Sequence, residues 1–209
     1  MKKLIVFDLD GTLNQTNLYA VEAVRMALAD FGVTGYTDEE IQSHFGERPA
    51  DYTKTYFPNA SEEVRNNFLK AEARHEDQLL EQYGKPFDGI PEVLSKLKQQ
   101  GYLLAVCSNS SIRYISLVLK TLKIDSYMDY LQPLLPGMIK DDTLKILLEQ
   151  VNPDSAVMVG DRIYDQNAAK ANHIPFIGCA YGYNPKEMES ADFVAHSPMD
   201  ILNGVEALF

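Results

Sequence analysis

Cysteine is scarce in this chain, with only 2 among 209 residues. Both Cys107 and Cys179 lie within or at the end of apolar runs of strand type. Such cysteines behave as small buried hydrophobic side chains, and disulfides belong to oxidising compartments. The sequence therefore argues against a disulfide-stapled secreted scaffold and predicts a protein of a reducing compartment.

Basic residues are also few: 19 lysines and arginines stand against 30 aspartates and glutamates, a net charge of −11. A chain with this balance repels polyanions, so we expect no nucleic-acid partner. The same field repels free phosphate esters. A phosphate site in this chain must therefore overcome it with a metal ion and nearby Lys or Arg side chains.

Long apolar runs are missing as well, since none approaches the length needed to cross a membrane. Met1, Lys2 and Lys3 lead directly into a strand-like run, without the apolar segment and cleavage site of an export signal. We therefore expect a cytoplasmic protein with no membrane contact. A chain of 209 residues can bury a full core, as one domain with an insertion or as two small domains.

Two carboxylates follow the first apolar run. Residues 4–7 are typical of a buried strand, and Asp8, Asp10, Gly11 and Thr12 come next. Extended backbone would place Asp8 and Asp10 on the same side. Carboxylates this close repel each other and need a cation or a shared proton. Taken alone, the pattern is equally typical of an Asp-Gly hairpin turn.

A second pair of carboxylates repeats this arrangement. Residues 156–159 form another apolar run, and Gly160, Asp161 and Asp165 follow it. Asp165 could simply cap the Ala-rich helix that comes next, whereas Asp161 has no comparable local role. The carboxyl ends of parallel strands meet at one edge of a sheet. The two clusters together therefore predict an oxygen-ligand site suited to Mg²⁺.

Groups suited to a phosphate lie between these clusters. The apolar run 102–107 ends at Ser108, whose hydroxyl precedes the backbone N–H groups of a helix start. Ser110 or Ser111 could serve only to cap that helix. Lys140 precedes the acidic start of a later helix, where a lysine taken alone is more typical of an ordinary surface charge.

The order of elements predicts an α/β fold. Residues 15–83 carry only helical patterns, at 19–28, 37–45, 48–57 and 61–83. The second of these helices is opened by a capping box of Thr37 and Glu40. Strands at 102–107, 132–135, 155–159 and 175–179 then alternate with helices at 111–122, 142–151 and 166–172. This alternation indicates βαβ units in a parallel sheet.

The ordered motifs resemble those of the haloacid dehalogenase-like phosphatase superfamily. The motifs are residues 8–12, residues 108–109, Lys140 and residues 160–165. The likeness covers essentially the whole chain, and residues 174–194 resemble the phosphoglycolate-phosphatase-like branch. The chain departs from the pattern at one point, because many members follow the lysine with Pro where this chain has Asp141.

The resemblance implies a Rossmann-like parallel-sheet core with helices on both faces, formed by residues 1–14 and 84–209. Residues 15–83 would form an inserted all-helical cap that closes over the site and selects the substrate. The implied activity is that of a phosphoric monoester hydrolase. It would use Mg²⁺ to hydrolyse a small phosphorylated metabolite, phosphoglycolate or a similar monoester, as a monomer or homodimer.

By the same resemblance, Asp8 is the nucleophile that accepts the phosphoryl group. Asp10 protonates the leaving oxygen and then activates water. Mg²⁺ would bind Asp8, the backbone carbonyl of Asp10 and Asp161, with Asp165 as a further acid in or behind the metal site.

The phosphate oxygens are expected to contact Ser108, Asn109 and Lys140, and Lys140 would also neutralise Asp8. Thr12 is expected to orient the first loop and to complete the phosphate site. In the cap, Arg48 lies in the tight loop between two helices, where it could grip a substrate carboxylate or second phosphate. The structural alternative is that it pairs locally with Glu47 or Asp51.

Two other functions fit the same motifs. A phosphosugar mutase would pass the phosphoryl group to a sugar hydroxyl, and would need a second cationic clamp that the sequence of the cap does not offer. A non-catalytic phosphate-binding protein would have no need of the acid at Asp10. A phosphatase therefore remains the leading hypothesis.

Overall fold

The core of the molecule is a parallel sheet of six strands. The computed structural model describes all residues from 1 to 209. The strands are β1 Lys3–Phe7, β2 Leu103–Cys107, β3 Tyr130–Gln132, β4 Ser155–Gly160, β5 Phe176–Cys179 and β6 Phe193–Ala195. They pair in the order β3-β2-β1-β4-β5-β6, and every neighbouring pair is parallel. The predicted α/β fold class is confirmed.

Strand β1 lies at the centre of the sheet and positions the site. The chain adds β2 and β3 on one side of β1, and β4 to β6 on the other. Phe7 pairs with Val106 of β2 and with Val159 of β4, so three strands end side by side. Open α/β sheets bind ligands at the carboxyl edge where the strand order reverses. The residues that follow these three strands therefore meet at such a crevice.

Nine α-helices surround or extend this sheet. They are α1 Ala20–Asp30, α2 Asp38–Ser43, α3 Pro49–Tyr56, α4 Glu62–Tyr83, α5 Ile90–Gln99, α6 Ile112–Thr121, α7 Lys140–Val151, α8 Ile163–Ala171 and α9 Asp200–Leu208. Short 3-10 turns occur at Thr16–Leu18, Asp125–Tyr127 and Pro185–Ser190. None of the helices has the combination of length and apolar character needed to span a bilayer.

Helices cover both faces of the sheet. Ile5 and Phe7 pack in one cluster with side chains of α5, α6 and α9. Leu4 and Val6 pack in a second cluster with side chains of α7 and α8. Because successive strand side chains point to opposite faces, β1 is buried on both. This explains the continuous apolar runs of the strands, which are typical of parallel sheets.

Helices α1 to α4 have a separate hydrophobic cluster. Phe68 is fully buried there, with ring centroids of Phe31, Tyr56 and Phe57 between 5.0 and 6.1 Å away. The predicted capping box of α2 is present, since Thr37 and Glu40 exchange side-chain and backbone hydrogen bonds. A separate core supports the predicted division into a cap at 15–83 and a sheet domain at 1–14 and 84–209, which stays a proposal.

Several element boundaries differ from the prediction. Strand β3 ends at Gln132 and does not span 132–135, because Pro133 has no N–H to continue the ladder. Helices α7 and α8 each begin two or three residues earlier than predicted. In each, a first-turn carboxylate accepts the N–H of the residue before the helix, from Ile139 to Asp142 and from Arg162 to Asp165. Helices α5 and α9 and strand β6 were not among the predicted elements.

Candidate active site

The loop after β1 carries the first two acids. Strand β1 ends at Phe7, and the N–H groups of Leu13 and Asn14 both donate to the Leu9 carbonyl oxygen at 2.9 Å. Gly11 turns the chain with a φ of +83°, in the left-handed region that favours glycine. Asp10 is therefore placed by this loop. Both acids lie beyond the end of β1, so the loop and not strand alternation sets where their side chains lie.

Asp10 is held by three neutral donors. Its Oδ1 accepts hydrogen bonds from Thr16 Oγ1 at 2.6 Å, Asn14 Nδ2 at 2.9 Å and Tyr114 Oη at 3.0 Å. Oδ2 has no hydrogen bond to the protein. Burial raises the pKa of Asp10, and the three hydrogen bonds only partly oppose this. The carboxyl group is thus fixed in one orientation with one oxygen free.

The three donors to Asp10 were missed by sequence reasoning. Asn14 and Thr16 follow Asp10 by four and six residues, so a search of the first loop for side-chain donors would have found them. Tyr114 lies on α6, 104 residues further along the chain. No local pattern marks that tyrosine.

Lys140 joins two of the carboxylates. Its Nζ lies 2.5 Å from Asp8 Oδ1 and 2.5 Å from Asp165 Oδ1. The side chain is only 5% exposed, so the alternative of an ordinary surface lysine is wrong. Burial lowers the pKa of Lys140, but the charges of Asp165 and Asp8 raise it by more than burial lowers it. The ammonium group therefore stays protonated. Burial also raises the pKa of Asp8 to about 7, and Lys140 opposes this rise.

Asp161 follows β4 and is completely buried. Its Oδ2 accepts the N–H of Tyr183 at 2.9 Å, and its Oδ1 accepts the hydroxyl of Thr12 at 3.3 Å. Gly11 and Gly182 press against it, since a Cβ at either position would come within 2.3 Å of its side chain. The hydroxyl of Thr12 is thus directed at Asp161, and the predicted contact of Thr12 with phosphate stays a prediction.

The three strand-end carboxylates meet at one point. Ligand oxygens of Asp8, Asp161 and Asp165 all lie within 4.8 Å of one another, and all three residues are buried. Burial, followed by the charges of Asp8 and Asp165, raises the pKa of Asp161 well above its usual value. Lys140 is the one ammonium group in contact with the cluster. Hard oxygen ligands with excess negative charge fit Mg²⁺.

The loop after β2 supplies a hydroxyl at the same edge. Ser108 is buried, and its Oγ accepts only the N–H of Ser110, at 3.2 Å. Ser111 caps α6 by accepting the N–H of Tyr114, so the structural alternative proposed for it is confirmed. The Nδ2 group of Asn109 donates to the Gly46 carbonyl oxygen at 2.8 Å. The side-chain amide of Asn109 thus contacts the loop before α3, and the predicted phosphate contact of Asn109 stays a prediction.

Backbone N–H groups form a further part of the site, which the sequence predicted after Ser108 but not after β1. The N–H groups of Leu9, Asp10 and Asn109 donate no hydrogen bond within the chain. All three belong to the loops that follow β1 and β2. Unpaired N–H groups at strand ends and helix starts suit the oxygens of a phosphate.

Comparison with known proteins decides the family. A sequence model described as haloacid dehalogenase-like hydrolase matches residues 5–179. The chain belongs to this family. A phosphoglycolate phosphatase from Vibrio vulnificus is 31% identical, over 97% of this chain and 96% of the relative. A putative pyrophosphatase, PpaX, from Clostridium perfringens is 29% identical, over 100% of this chain and 99% of the relative. The predicted enzyme class, a phosphoric monoester hydrolase, is confirmed.

Solved structures of haloacid dehalogenase-like proteins share the fold. A predicted phosphoglycolate phosphatase from Haemophilus somnus matches 98% of both chains with a TM-score of 0.88 at 22% identity. CbbY from Rhodobacter sphaeroides, in complex with phosphate, matches 99% of this chain and 100% of its own with a TM-score of 0.86 at 19% identity. At these identities the likeness supports the shared architecture alone.

In this haloacid dehalogenase-like hydrolase, the segment 44–49 between α2 and α3 rests on the loops that follow the sheet strands. The guanidinium group of Arg162 donates to the Phe45 carbonyl oxygen, and Asn109 donates to that of Gly46. The ring of Phe45 packs edge-on against Tyr183, with centroids 5.4 Å apart. The residues that follow β2, β4 and β5 therefore all hold the same loop.

Arg48 lies in the predicted loop between α2 and α3 and forms a local ion pair there. Its Nε donates to Asp51 Oδ2 at 2.7 Å, because Arg48 precedes α3 and Asp51 lies in the first turn of that helix. Arg48 lines an outer cleft with Lys140 and Asn109, and does not line the cavity that contains Asp10. The local ion pair given as the alternative is therefore found, and the role of Arg48 in substrate selection stays a prediction.

Proposed function

We propose that this chain is a Mg²⁺-dependent phosphomonoesterase that passes the phosphoryl group of a small metabolite to Asp8 and then to water. One observation carries the proposal: the two neighbouring acids have different partners. Asp8 contacts an ammonium group, and Asp10 receives only neutral donors. Environments that separate two carboxyl groups in this way give them separate roles in proton transfer.

Asp8 is the nucleophile in this proposal. The Lys140 charge at 2.5 Å favours its anionic form, although burial works in the opposite direction. An anionic oxygen of Asp8 attacks phosphorus, and the bond from phosphorus to the leaving oxygen breaks. The product on the protein is an aspartyl phosphate, a mixed anhydride that water can cleave.

Asp10 is the acid and then the base. Its Oδ1 is saturated by three donors, so the proton resides on Oδ2, and burial raises the pKa of the group. The proton moves from Oδ2 to the leaving oxygen in the first half of the reaction. In the second half, Oδ2 accepts a proton from the water that attacks phosphorus.

Mg²⁺ would be held by four groups: the carboxylates of Asp8, Asp161 and Asp165 and the backbone carbonyl of Asp10. The three buried carboxylates fit the ion because a single ammonium group offsets them. When bound, the ion supplies positive charge against the phosphate and the nucleophile. Thr12 orients Asp161, and Lys140 orients Asp8 and Asp165.

The phosphate oxygens would be held by Ser108, Lys140 and the free N–H groups of Leu9, Asp10 and Asn109. The donors stand at fixed positions on the loops after β1 and β2, so little reorganisation accompanies the reaction. The only guanidinium group that faces the cap cavity is Arg113, which is paired with Asp77. This cavity thus offers no unpaired second clamp for a phosphosugar intermediate, which favours transfer to water over a mutase reaction.

The proposal is tested by measuring free phosphate released from an aryl phosphate. We expect activity to disappear with EDTA, to return with Mg²⁺, and to be absent in Asp8→Asn. Asp125→Asn, which removes an exposed acid, is the matched control and keeps full activity. Full activity in metal-free buffer, or turnover by Asp8→Asn, would overturn the proposal.

A further inference from the structure

The cavity between cap and sheet domain is strongly acidic. It has a volume of about 300 Å³ and opens onto Asp10. Its lining contains five carboxylates, those of Asp10, Glu47, Glu72, Glu76 and Asp77. The basic side chains among the lining residues are Arg113 and His44. Any leaving group that follows the phosphate into the cap meets this surface.

Both basic side chains are already paired. The guanidinium group of Arg113 forms two hydrogen bonds with the carboxylate of Asp77, one of them 3.0 Å long. The Nδ1 atom of His44 lies 3.2 Å from an oxygen of Glu47. Each basic side chain of the cavity therefore already has a carboxylate partner.

Glu72 and Glu76 receive no positive charge from the chain. They lie one turn apart on α4, where side chains four residues apart share a face. The Glu72 carboxylate accepts the Tyr52 hydroxyl at 2.6 Å, and neither glutamate forms a salt bridge. Burial raises the pKa of Glu72 to about 7. Burial, followed by the charges of Glu72 and Asp10, raises that of Glu76 well above its usual value.

A second feature of the cavity also favours a ligand that donates hydrogen bonds. Asn109 is 7% exposed, and its Oδ1 has no hydrogen-bond partner while its Nδ2 binds Gly46. A buried carbonyl oxygen of this kind accepts from an N–H or O–H group and repels a phosphate or carboxylate oxygen. The rings of Phe45, Tyr52 and Tyr56 complete the wall, and aromatic faces attract ammonium groups.

We infer that the substrate is a phosphorylated amino alcohol, whose ammonium group binds between Glu72 and Glu76 while its phosphate binds at Asp8. This inference rests on the proposed phosphatase activity and names the substrate class of the same site. A carboxylate or second phosphate in the leaving group would meet no unpaired basic side chain among the residues that line this cavity. The cavity therefore separates this chain from the substrates in the names of its relatives.

Three size-matched probes with different charges test the inference. They are 2-aminoethyl phosphate, 2-hydroxyethyl phosphate and 2-phosphoglycolate, each assayed for free phosphate in the presence of Mg²⁺. We expect kcat/KM for the aminoethyl ester to exceed that for the hydroxyethyl ester by about tenfold or more, with phosphoglycolate the poorest. A preference for the hydroxyethyl ester or for phosphoglycolate would overturn the inference.

Charge-removing variants locate the preference. Glu72→Gln and Glu76→Gln should each reduce kcat/KM for the aminoethyl ester about tenfold more than for the hydroxyethyl ester. Glu81→Gln, on an exposed position of the same helix, is the matched control and should leave the ratio of the two substrates unchanged. A ratio that is unchanged in either variant that can be assayed would contradict the assignment.

An aryl phosphate, assayed in parallel, separates this inference from the proposed function. Mg²⁺-dependent hydrolysis of the aryl ester without an ammonium preference overturns the substrate class alone. The absence of hydrolysis of every ester overturns the phosphatase proposal, and the inference with it.

Discussion

The burial of Asp8 makes the stability of the metal-free protein depend on pH in a defined direction. Burial raises the pKa of Asp8 from its usual 3.8 to about 7, although Lys140 opposes the rise. The folded protein therefore holds this proton more tightly than the unfolded chain. The stability contributed by the protonated carboxyl group is complete below about pH 4 and is lost as the pH rises to about 7.

The size of the effect follows from the same values. One pKa unit corresponds to about 1.4 kcal/mol, so the difference between 3.8 and about 7 corresponds to about 4 kcal/mol. Asp8→Asn removes the titrating group and preserves its shape. Lys140 keeps its second partner, Asp165. Between about pH 4 and about pH 7, the free energy of unfolding of the natural protein should therefore fall by about 4 kcal/mol more than that of the variant.

Urea-induced unfolding in EDTA, at intervals across this pH range, measures the difference. Asp125→Asn removes an exposed carboxylate and serves as the control, whose curve should run parallel to that of the natural protein. Parallel curves for Asp8→Asn and the natural protein would refute the reasoning, because they would mean that Asp8 titrates alike in the folded and unfolded states.

Three further changes have defined outcomes. Gly182→Ala would place a Cβ 2.3 Å from the Asp161 side chain, and should raise the Mg²⁺ concentration that gives half-maximal activity at least about tenfold. An unchanged concentration would remove Asp161 from the metal site. Arg162→Ala frees the Phe45 carbonyl oxygen and should raise KM and the rate of proteolysis within residues 44–49; unchanged values would mean that the contact does not hold the cap. Asp10→Asn should slow turnover by about 10²- to 10⁴-fold, most for poor leaving groups, and a loss independent of the leaving group would contradict its role as the acid.

Much of the fold and the acidic cluster could be predicted because their signals are local. Apolar runs followed at once by Asp8, Ser108 and Asp161 mark strand ends, and parallel strands bring such ends together whatever their separation in sequence. Lys140 carries no such local signal, and its place near the cluster was predicted only from the resemblance to family motifs. Its burial depends on α7 beginning at Lys140, two residues earlier than its helical pattern indicated.

The rest of the site depends on contacts that no local pattern records. Tyr114 donates to Asp10 from α6, and the side-chain amide of Asn109 donates to the Gly46 carbonyl oxygen. The sequence could not decide the partner of Arg48, because an acid such as Asp51 is as typical of an exposed helix start as of an ion pair. The glutamates of the cap cavity lie on a long charged helix, where only the packing of α4 against the cavity distinguishes Glu72 and Glu76 from solvated residues.

The nucleophile is tested most directly by finding where the phosphoryl group is held during turnover. Asp10→Asn, mixed with an aryl phosphate and Mg²⁺ and then quenched in acid, should accumulate one phosphoryl group per chain. Peptide mass spectrometry should locate it on Asp8, and the group should be labile to base and to hydroxylamine. Phosphate release without a phosphorylated Asp8, or a phosphoryl group on any other residue, would contradict the proposed mechanism.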